Sequence, residues 1–268
     1  MKDGFTTLLL HTIDCIMPEM GYNARMPNRQ RHRGRHPQDA RLFDVAQQAV
    51  LRRATADLSW LLSRGYAETS ALKLVGDRHA LRQRQRKAVQ GAACSDADLA
   101  HRSSTQTAPD GLVGRRLLID GFNLLITVEC ALGGAVLIHG RDGCVRDLAG
   151  VHGSWRRMAE SGRAIEQIGA ALDQLRPQEV VWLLDAPVSN SGRLASFLRE
   201  YAKERRLSWT VELHNNPDRA LIEAQDAICA TSDAWVLNET AAWFNLAVHV
   251  LEQLNVKPEM IDLSLCST

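Results

Sequence analysis

No pair of cysteines stands at CxxC spacing: the six, Cys15, Cys94, Cys130, Cys144, Cys229 and Cys266, are scattered along 268 residues. That scatter indicates neither a zinc ribbon nor a disulfide framework, and a reducing compartment is the default, so the protein is read as cytoplasmic. Long apolar runs are also missing. Phe5–Met17 is mildly apolar, but His11 and Asp14 interrupt it and a basic leader is nearly absent. It is too short to span a membrane and a poor secretory signal, so no membrane partner is expected. Neither sign of charge dominates: 32 Lys plus Arg oppose 31 Asp plus Glu, and net charge identifies no partner.

Several catalytic signatures are absent as well. There is no GxxxxGK[ST], hence no P-loop, and no GxSxG elbow of a serine hydrolase. Gly111 and Gly114 precede the first apolar run rather than follow it, the wrong side for a dinucleotide fingerprint. Phe122 stands where a haloacid-dehalogenase-type phosphatase would place a second Asp. What remains is the composition of a soluble globular protein, long enough for one large domain or two ordinary ones.

The arginines crowd the first third. Residues 1–37 include NARMPNRQRHRGRHPQ, without apolar periodicity, and read as a disordered basic tail. His32 and His36 stand four apart there, a spacing that suits a metal only on a helix. Residues 38–97 read as an α-helical basic domain. Leu42, Val45, Ala49, Leu51, Ala54, Leu58, Leu61 and Leu62 recur at helical steps, and Gly65 provides a stop. Thr69 caps a short helix that Gly76 ends, and Asp77 caps a third, RHALRQRQRKAVQ. Residues 98–111 read as a linker.

Residues 112–268 alternate between strand and helix patterns. Apolar runs at Leu117–Ile119, Val180–Leu184, Leu207–Leu213 and Ala227–Thr231 are separated by helical patterns at Arg156–Leu175, Ser191–Arg205 and Glu239–Leu254. Strands separated by helices predict an α/β fold with a parallel sheet. AVLIHGRDGCVRD, with Asp142-Gly143 as a turn, predicts an inserted hairpin.

Three of these runs end in a carboxylate: LLID at Asp120, VWLLD at Asp185 and ICATSD at Asp233. Ligands of an open parallel sheet bind beyond the carboxyl ends of its strands, so neighbouring strands would bring these acids together. Converged carboxylates repel unless a cation neutralises them, and hard oxygen donors beside a phosphate suit Mg²⁺ or Mn²⁺. A single aspartate after a strand is commonly a cap or turn former; three in succession are less easily explained by turn chemistry, which could have used Ser, Asn or Gly. Asp218, at a helix start in HNNPDRALIE, is a fourth acid or a cap, and Glu223 lies one turn on. Ser189, Asn190, Ser191 and Arg193 lie between a strand and a helix, where hydroxyls and amides would receive a phosphate or cap the helix. Glu129, Asp142 and Asp147 are expected at the surface.

Arg78, Arg82, Arg84, Arg86 and Lys87 fall within ten residues without an acid, and Arg78, Arg82 and Arg86 share a helical face. A polyanion would relieve their repulsion, giving salt-dependent nucleic-acid binding; the plainer reading is a solvated or internally paired face. Short helix, Gly76-Asp77 and basic helix also have the order of a helix-turn-helix.

LLIDGFNLL, VWLLDAPVSNSG, NNPDRALIE and ATSDAWVL resemble, in that order, the motifs of PIN-like nucleases, most closely the NYN branch of YacP-like ribonucleases. The resemblance covers roughly residues 115–255. It implies a PIN-like, Rossmannoid parallel-sheet domain, metal ligation by Asp120, Asp185, Asp218 and Asp233, and an Asn123 that orients a ligand or water. Thr231 and Ser232 would shape the turn presenting Asp233. The family pattern prefers further acids after that position, where this chain has Ala234 and Trp235, and insert Gly133–Ser154 has no counterpart in it. The preceding helical part resembles an uncharacterised domain of unknown function found beside such partners. The expected function is Mg²⁺- or Mn²⁺-dependent phosphodiester hydrolysis, with RNA preferred over DNA. The alternative is a helix-turn-helix-like nucleic-acid-binding protein whose α/β domain is catalytically inactive.

Overall fold

The computed structural model describes residues 31–150 and 153–264; most of the expected basic tail, Phe5–Met17, Cys15 and Cys266 lie outside them. Helix α1 (Asp39–Leu42) is followed by α2 (Val45–Leu62), which starts where Asp44 accepts the Gln47 amide. Gly65 stops the chain in the left-handed region, at φ 78°. Helices α3 (Glu68–Arg78) and α4 (Gln83–Ala92) complete the amino-terminal group.

Gly76 does not end a helix, as its position had implied. It lies inside α3, where a Cβ would stand 2.2 Å from Nη1 of Arg86. The missing side chain makes room for that guanidinium, which donates to the Leu81 carbonyl and to Asp77. The chain then turns through Ala80 at φ 50°, so the next helix starts at Gln83 rather than beyond Asp77. The stretch expected as a linker is also structured. Helix α5 (Asp96–Thr105) starts in a capping box of Ser95 and Asp98, and a 3-10 turn covers Pro109–Leu112.

The remainder is mixed α/β. Strand β1 (Arg116–Asp120) runs into α6 (Gly121–Gly133), and the hairpin β2 (Leu137–His139) and β3 (Val145–Asp147) follows. Then come α7 (Ser161–Leu175), β4 (Glu179–Asp185), α8 (Ser191–Arg205), β5 (Trp209–His214) and α9 (Pro217–Glu223). Strand β6 (Ile228–Ala230), α10 (Ala234–Glu239), α11 (Leu246–Glu252) and β7 (Met260–Asp262) end the described chain. The main sheet is four-stranded and parallel, ordered β5-β4-β1-β6.

Both faces of this sheet are covered. Leu117 and Ile119 of β1 and Val180, Trp182 and Leu184 of β4 join one core, while Leu118, Val181 and Leu183 join another with Leu221 of α9 and Val236 and Leu237 of α10. Such alternation is why these strands read as continuous apolar runs. The helix expected over Glu239–Leu254 is broken because Ala242 to Phe244 lie along β6: Cys229 donates to the Ala242 carbonyl and the Phe244 amide to Cys229. Trp243 is thereby fully buried.

A second sheet, β3-β2-β7, forms from the hairpin and the distant β7. Its Val136, Ile138, Leu148, Ile261 and Leu263 share a core with Leu51 and Leu58 of α2, Val75 of α3 and Val89 of α4. The amino-terminal helices thus use the small sheet as their hydrophobic wall. Residues 31–37 also lie against the α/β part: His32 pairs with Glu160, Arg33 with Glu129 and Arg35 with Glu259, in place of the free basic tail expected. Among the described residues no helix is long and apolar enough to cross a membrane.

Replacing Ile138 by Ala empties part of the shared core, and the expected loss is about 2–5 kcal/mol in urea unfolding. Far-UV circular dichroism and tryptophan fluorescence should report one coincident transition. A separate, earlier melting of the helices would contradict the shared core.

Candidate active site at the carboxyl edge of the parallel sheet

Asp120 is the last residue of β1 and pairs in register with Leu183 of the neighbouring β4. By strand alternation Asp120, Leu183 and Asp185 therefore share one face, the face covered by α9 and α10. Asp218 lies in the first turn of α9, and Asp233 caps α10 immediately after β6, the strand on the other side of β1. Strand order thus brings Asp120, Asp185 and Asp233 to one edge, and Asp218 lies close enough for its charge to act on Asp120.

Asp120 is 6% exposed and accepts the Thr231 hydroxyl on Oδ2 at 2.8 Å and the Asn123 amide on Oδ1 at 3.4 Å. Burial pushes its carboxyl up to about 7; the Thr231 hydroxyl opposes the rise, and the charges of Asp218 and Asp233 add to it. Asp218 is also raised, first by burial and then by Asp233 and Asp185, and burial raises Asp185. Each carboxylate that stays charged makes the next harder to ionise. Asp233 is half-buried, and its Oδ1 accepts the amides of Trp235 and Val236 at 2.9 and 3.1 Å.

Asn123 holds the loop: its Oδ1 accepts both the amide and the hydroxyl of Ser232, at 3.1 and 2.8 Å. Thr231 and Ser232 shape the turn before Asp233 as expected, since the Thr231 hydroxyl bridges Asp120 and the Asp233 amide. Among the described residues no group of three or more His, Cys, Asp or Glu side chains forms a ready metal cage. The donor chemistry still suits Mg²⁺ or Mn²⁺, because such ions keep several waters and bind through one or two carboxylates together with substrate phosphate. A buried carboxylate that its neighbours make reluctant to ionise is a place where a cation is favoured.

The Asp233 loop is held from behind by residues outside the predicted site. Asp142, expected at the surface, has a side chain only 1% exposed, between Arg102 of α5 and Arg146 of β3. Arg146 donates to Asp142 and, through Nε, to the Ser232 carbonyl at 2.7 Å; Arg102 donates to Asp142 and, through Nη2, to the Ala234 carbonyl at 3.2 Å. The carbonyls on both sides of Asp233 are therefore held by guanidinium groups that share one carboxylate. Burial alone would raise Asp142, but the charge of Arg146, its hydrogen bond and the charge of Arg102 hold it well below the usual carboxylate range. The available clue was an aspartate in the hairpin turn four residues before Arg146 on the following strand. Glu129 and Asp147 are likewise inward-facing: Glu129 accepts from Arg33 and Ser161, and Asp147 accepts the Ala149 and Gly150 amides. Glu223 pairs with Arg219.

The residues predicted to hold nucleic acid are only partly free. Arg84 pairs with Asp39, Arg86 with Asp77 and Arg78 with Asp57, and Lys87 donates to the Leu148 carbonyl. Arg82 and Lys87 are exposed. Ser189 exchanges backbone bonds with the end of the insert, Asn190 donates to the Trp155 carbonyl and the Ser191 hydroxyl to the Ala186 carbonyl, while Arg193 is exposed.

The family described as Protein of unknown function (DUF434) matches residues 50–104, and that described as Domain of unknown function (DUF5616) matches residues 109–249. A relative in Methanocaldococcus jannaschii, Uncharacterized protein MJ0935, is 27% identical over 209 residues, which cover 77% of this chain and 99% of the relative. No solved structure matches.

Two outcomes test this geometry. Between its ordinary value of 3.8 and about 7 the folded chain keeps the Asp120 proton that the unfolded chain has released. The stability of the metal-free protein should therefore fall as pH rises through that window, and the fall should shrink in Asp120→Asn. Equal pH slopes in thermal melts of the two proteins would contradict the assignment. Asp142→Ala leaves two buried guanidinium groups unpaired and should cost about 3–5 kcal/mol in denaturant unfolding; a loss below about 1 kcal/mol would show the clamp to be dispensable.

Proposed function

The chain belongs to the family described as Domain of unknown function (DUF5616), and we propose that it is a PIN-like, divalent-cation-dependent phosphodiesterase acting on RNA. One observation carries the reading: neighbouring parallel strands deliver Asp120, Asp185 and Asp233 to one edge, where buried Asp120 is raised to about 7 by burial and by the charges of Asp218 and Asp233. Structural carboxylates of this protein are arranged otherwise, since Asp142 and Asp39 are each paired with arginine.

Asp120, Asp185, Asp218 and Asp233 would hold Mg²⁺ or Mn²⁺. When bound, such an ion lowers the pKa of a water and offsets charge that develops on the phosphate oxygens. The chain's own contribution is placement. Thr231 fixes one oxygen of Asp120, Asn123 ties the loop of Ser232 to the start of α6, and the Arg102–Asp142–Arg146 clamp fixes the loop from the other side. Asp185 and Asp218 are half-buried, so both remain reachable from solvent by a strand. Exposed Arg82, Lys87 and Arg193 supply positive charge elsewhere on the chain.

Calorimetry with Mn²⁺, paired with cleavage of a labelled single-stranded RNA, tests the proposal on wild type and Asp120→Asn. Wild type should bind and cleave, and the variant should lose both while keeping its circular dichroism spectrum. Absence of binding and cleavage in both proteins would overturn the phosphodiesterase reading.

A further inference from the structure

Trp235, two residues after Asp233, is an indole left in solvent. It is 51% exposed, whereas its neighbours Val236 and Leu237 are fully buried under α10. Trp182 and Trp243 are also fully buried, and Trp155 is 4% exposed. Exposed Trp60 is covered by the guanidinium of Arg64, centred 3.5 Å from the ring; among the described residues no guanidinium covers Trp235.

The exposed ring has a rigid support. The Trp235 amide donates to Oδ1 of Asp233 at 2.9 Å, and Arg102 holds the carbonyl of the preceding Ala234. The indole is therefore two residues and one hydrogen bond from a proposed ligand carboxylate, on backbone pinned at both ends. Such preorganisation lowers the ordering cost of binding a planar ligand.

Charge alone is poorly placed to hold a polyanion here. Asp120, Asp185, Asp218 and Asp233 make this edge acidic, and most arginines of α3 and α4 are paired within the chain. A strand approaching this edge needs a contact insensitive to sign, and stacking of a base on an aromatic ring provides one. A paired base keeps its faces inside the duplex, whereas an unpaired base offers one to a protein ring.

We infer that Trp235 is a base-stacking platform that seats an unpaired nucleobase next to Asp233, making single-stranded nucleic acid the ligand of this edge. This inference rests on the phosphodiesterase reading for its choice of ligand, and it adds a residue that does not touch the reacting phosphate. Trp235 sets which strand form is held, and its removal leaves the four acids in place.

The test is fluorescence anisotropy with a labelled oligoadenylate of about twelve nucleotides. The full chain is used as Asp120→Asn to prevent cleavage, and as wild type in chelator. Trp235→Ala in either background should weaken binding by about tenfold, and Trp235→Phe should restore most of the affinity. A strand of the same length with abasic positions should bind weakly and equally to parent and Trp235→Ala, and the matching duplex should show no dependence on Trp235. Unchanged affinity in Trp235→Ala, equal binding of abasic and intact strands, or no strand binding at all would each overturn the inference. Melting temperatures of the variants show whether the fold is kept. Cleavage by wild type with Mn²⁺ is scored separately. Cleavage without a Trp235 effect removes the platform alone, and a Trp235 effect without cleavage removes the phosphodiesterase reading alone.

Discussion

The buried Asp142 carboxylate, shared by two guanidinium groups, is the constraint on which the described chain converges. Arg102 brings α5 to it, Arg146 brings β3, and Nη1 of Arg146 also donates to the Gly91 carbonyl of α4 at 2.8 Å. The same two arginines reach the loop after β6 at Ser232 and Ala234. A single anion thus ties the amino-terminal helices, the inserted hairpin and the end of a central strand. Two cations and one anion leave a positive excess, which the carbonyls of Gly91, Ser232 and Ala234 and the side-chain oxygen of Asn238 help to satisfy. Such a group is geometrically demanding, because each buried donor must find an acceptor at the right angle. The insert is therefore a scaffold for the Asp233 loop.

Asp142 and Asp120 form an internal comparison. Both carboxyl groups are nearly inaccessible to solvent, yet one is held well below the ordinary range and the other is lifted to about 7. Burial acts alike on both, so the difference is in the neighbours: guanidinium groups around Asp142, carboxylates around Asp120. A folded chain that needed Asp120 only as a helix cap would have no reason to surround it with further acids. Under the proposed function a divalent cation would offset the repulsion among these acids.

How far the sequence made this visible differs by level. Strands β1, β4 and β6 were legible because strands buried on both faces read as short apolar runs, and Asp120, Asp185 and Asp233 were legible because they close those runs. Helix α8 was read to its exact bounds, Ser191–Arg205. Gly76 was misread because a glycine that admits a side chain from another helix looks the same, in sequence, as one that stops a helix. The split between α10 and α11 depends on Trp243 and its neighbours lying along β6, a contact no local pattern encodes. β7 is three residues long and pairs with β2 across more than a hundred positions, so neither propensity nor periodicity could reveal it. The arginines of α3 and α4 looked like a polyanion surface because their partners, Asp39 and Asp57, lie on other helices.

The capping and ligand readings of the acids need not compete. A carboxylate has two oxygens, and Asp233 uses one of them, Oδ1, for both amides at the start of α10. Among the described residues Oδ2 of Asp233 has no hydrogen-bond partner. Capping thus fixes the plane of the group and leaves its other oxygen presented at the strand edge, at no cost in side-chain freedom beyond what the cap already requires. Asp120 is held at both oxygens, but by one short bond and one long one, 2.8 Å from the Thr231 hydroxyl and 3.4 Å from the Asn123 amide. The long bond is the one a competing cation would displace most easily. The same turn chemistry that makes an isolated aspartate unremarkable is therefore compatible with the proposed ligand role. What separates a cap from a site is the presence of other acids across the strand edge.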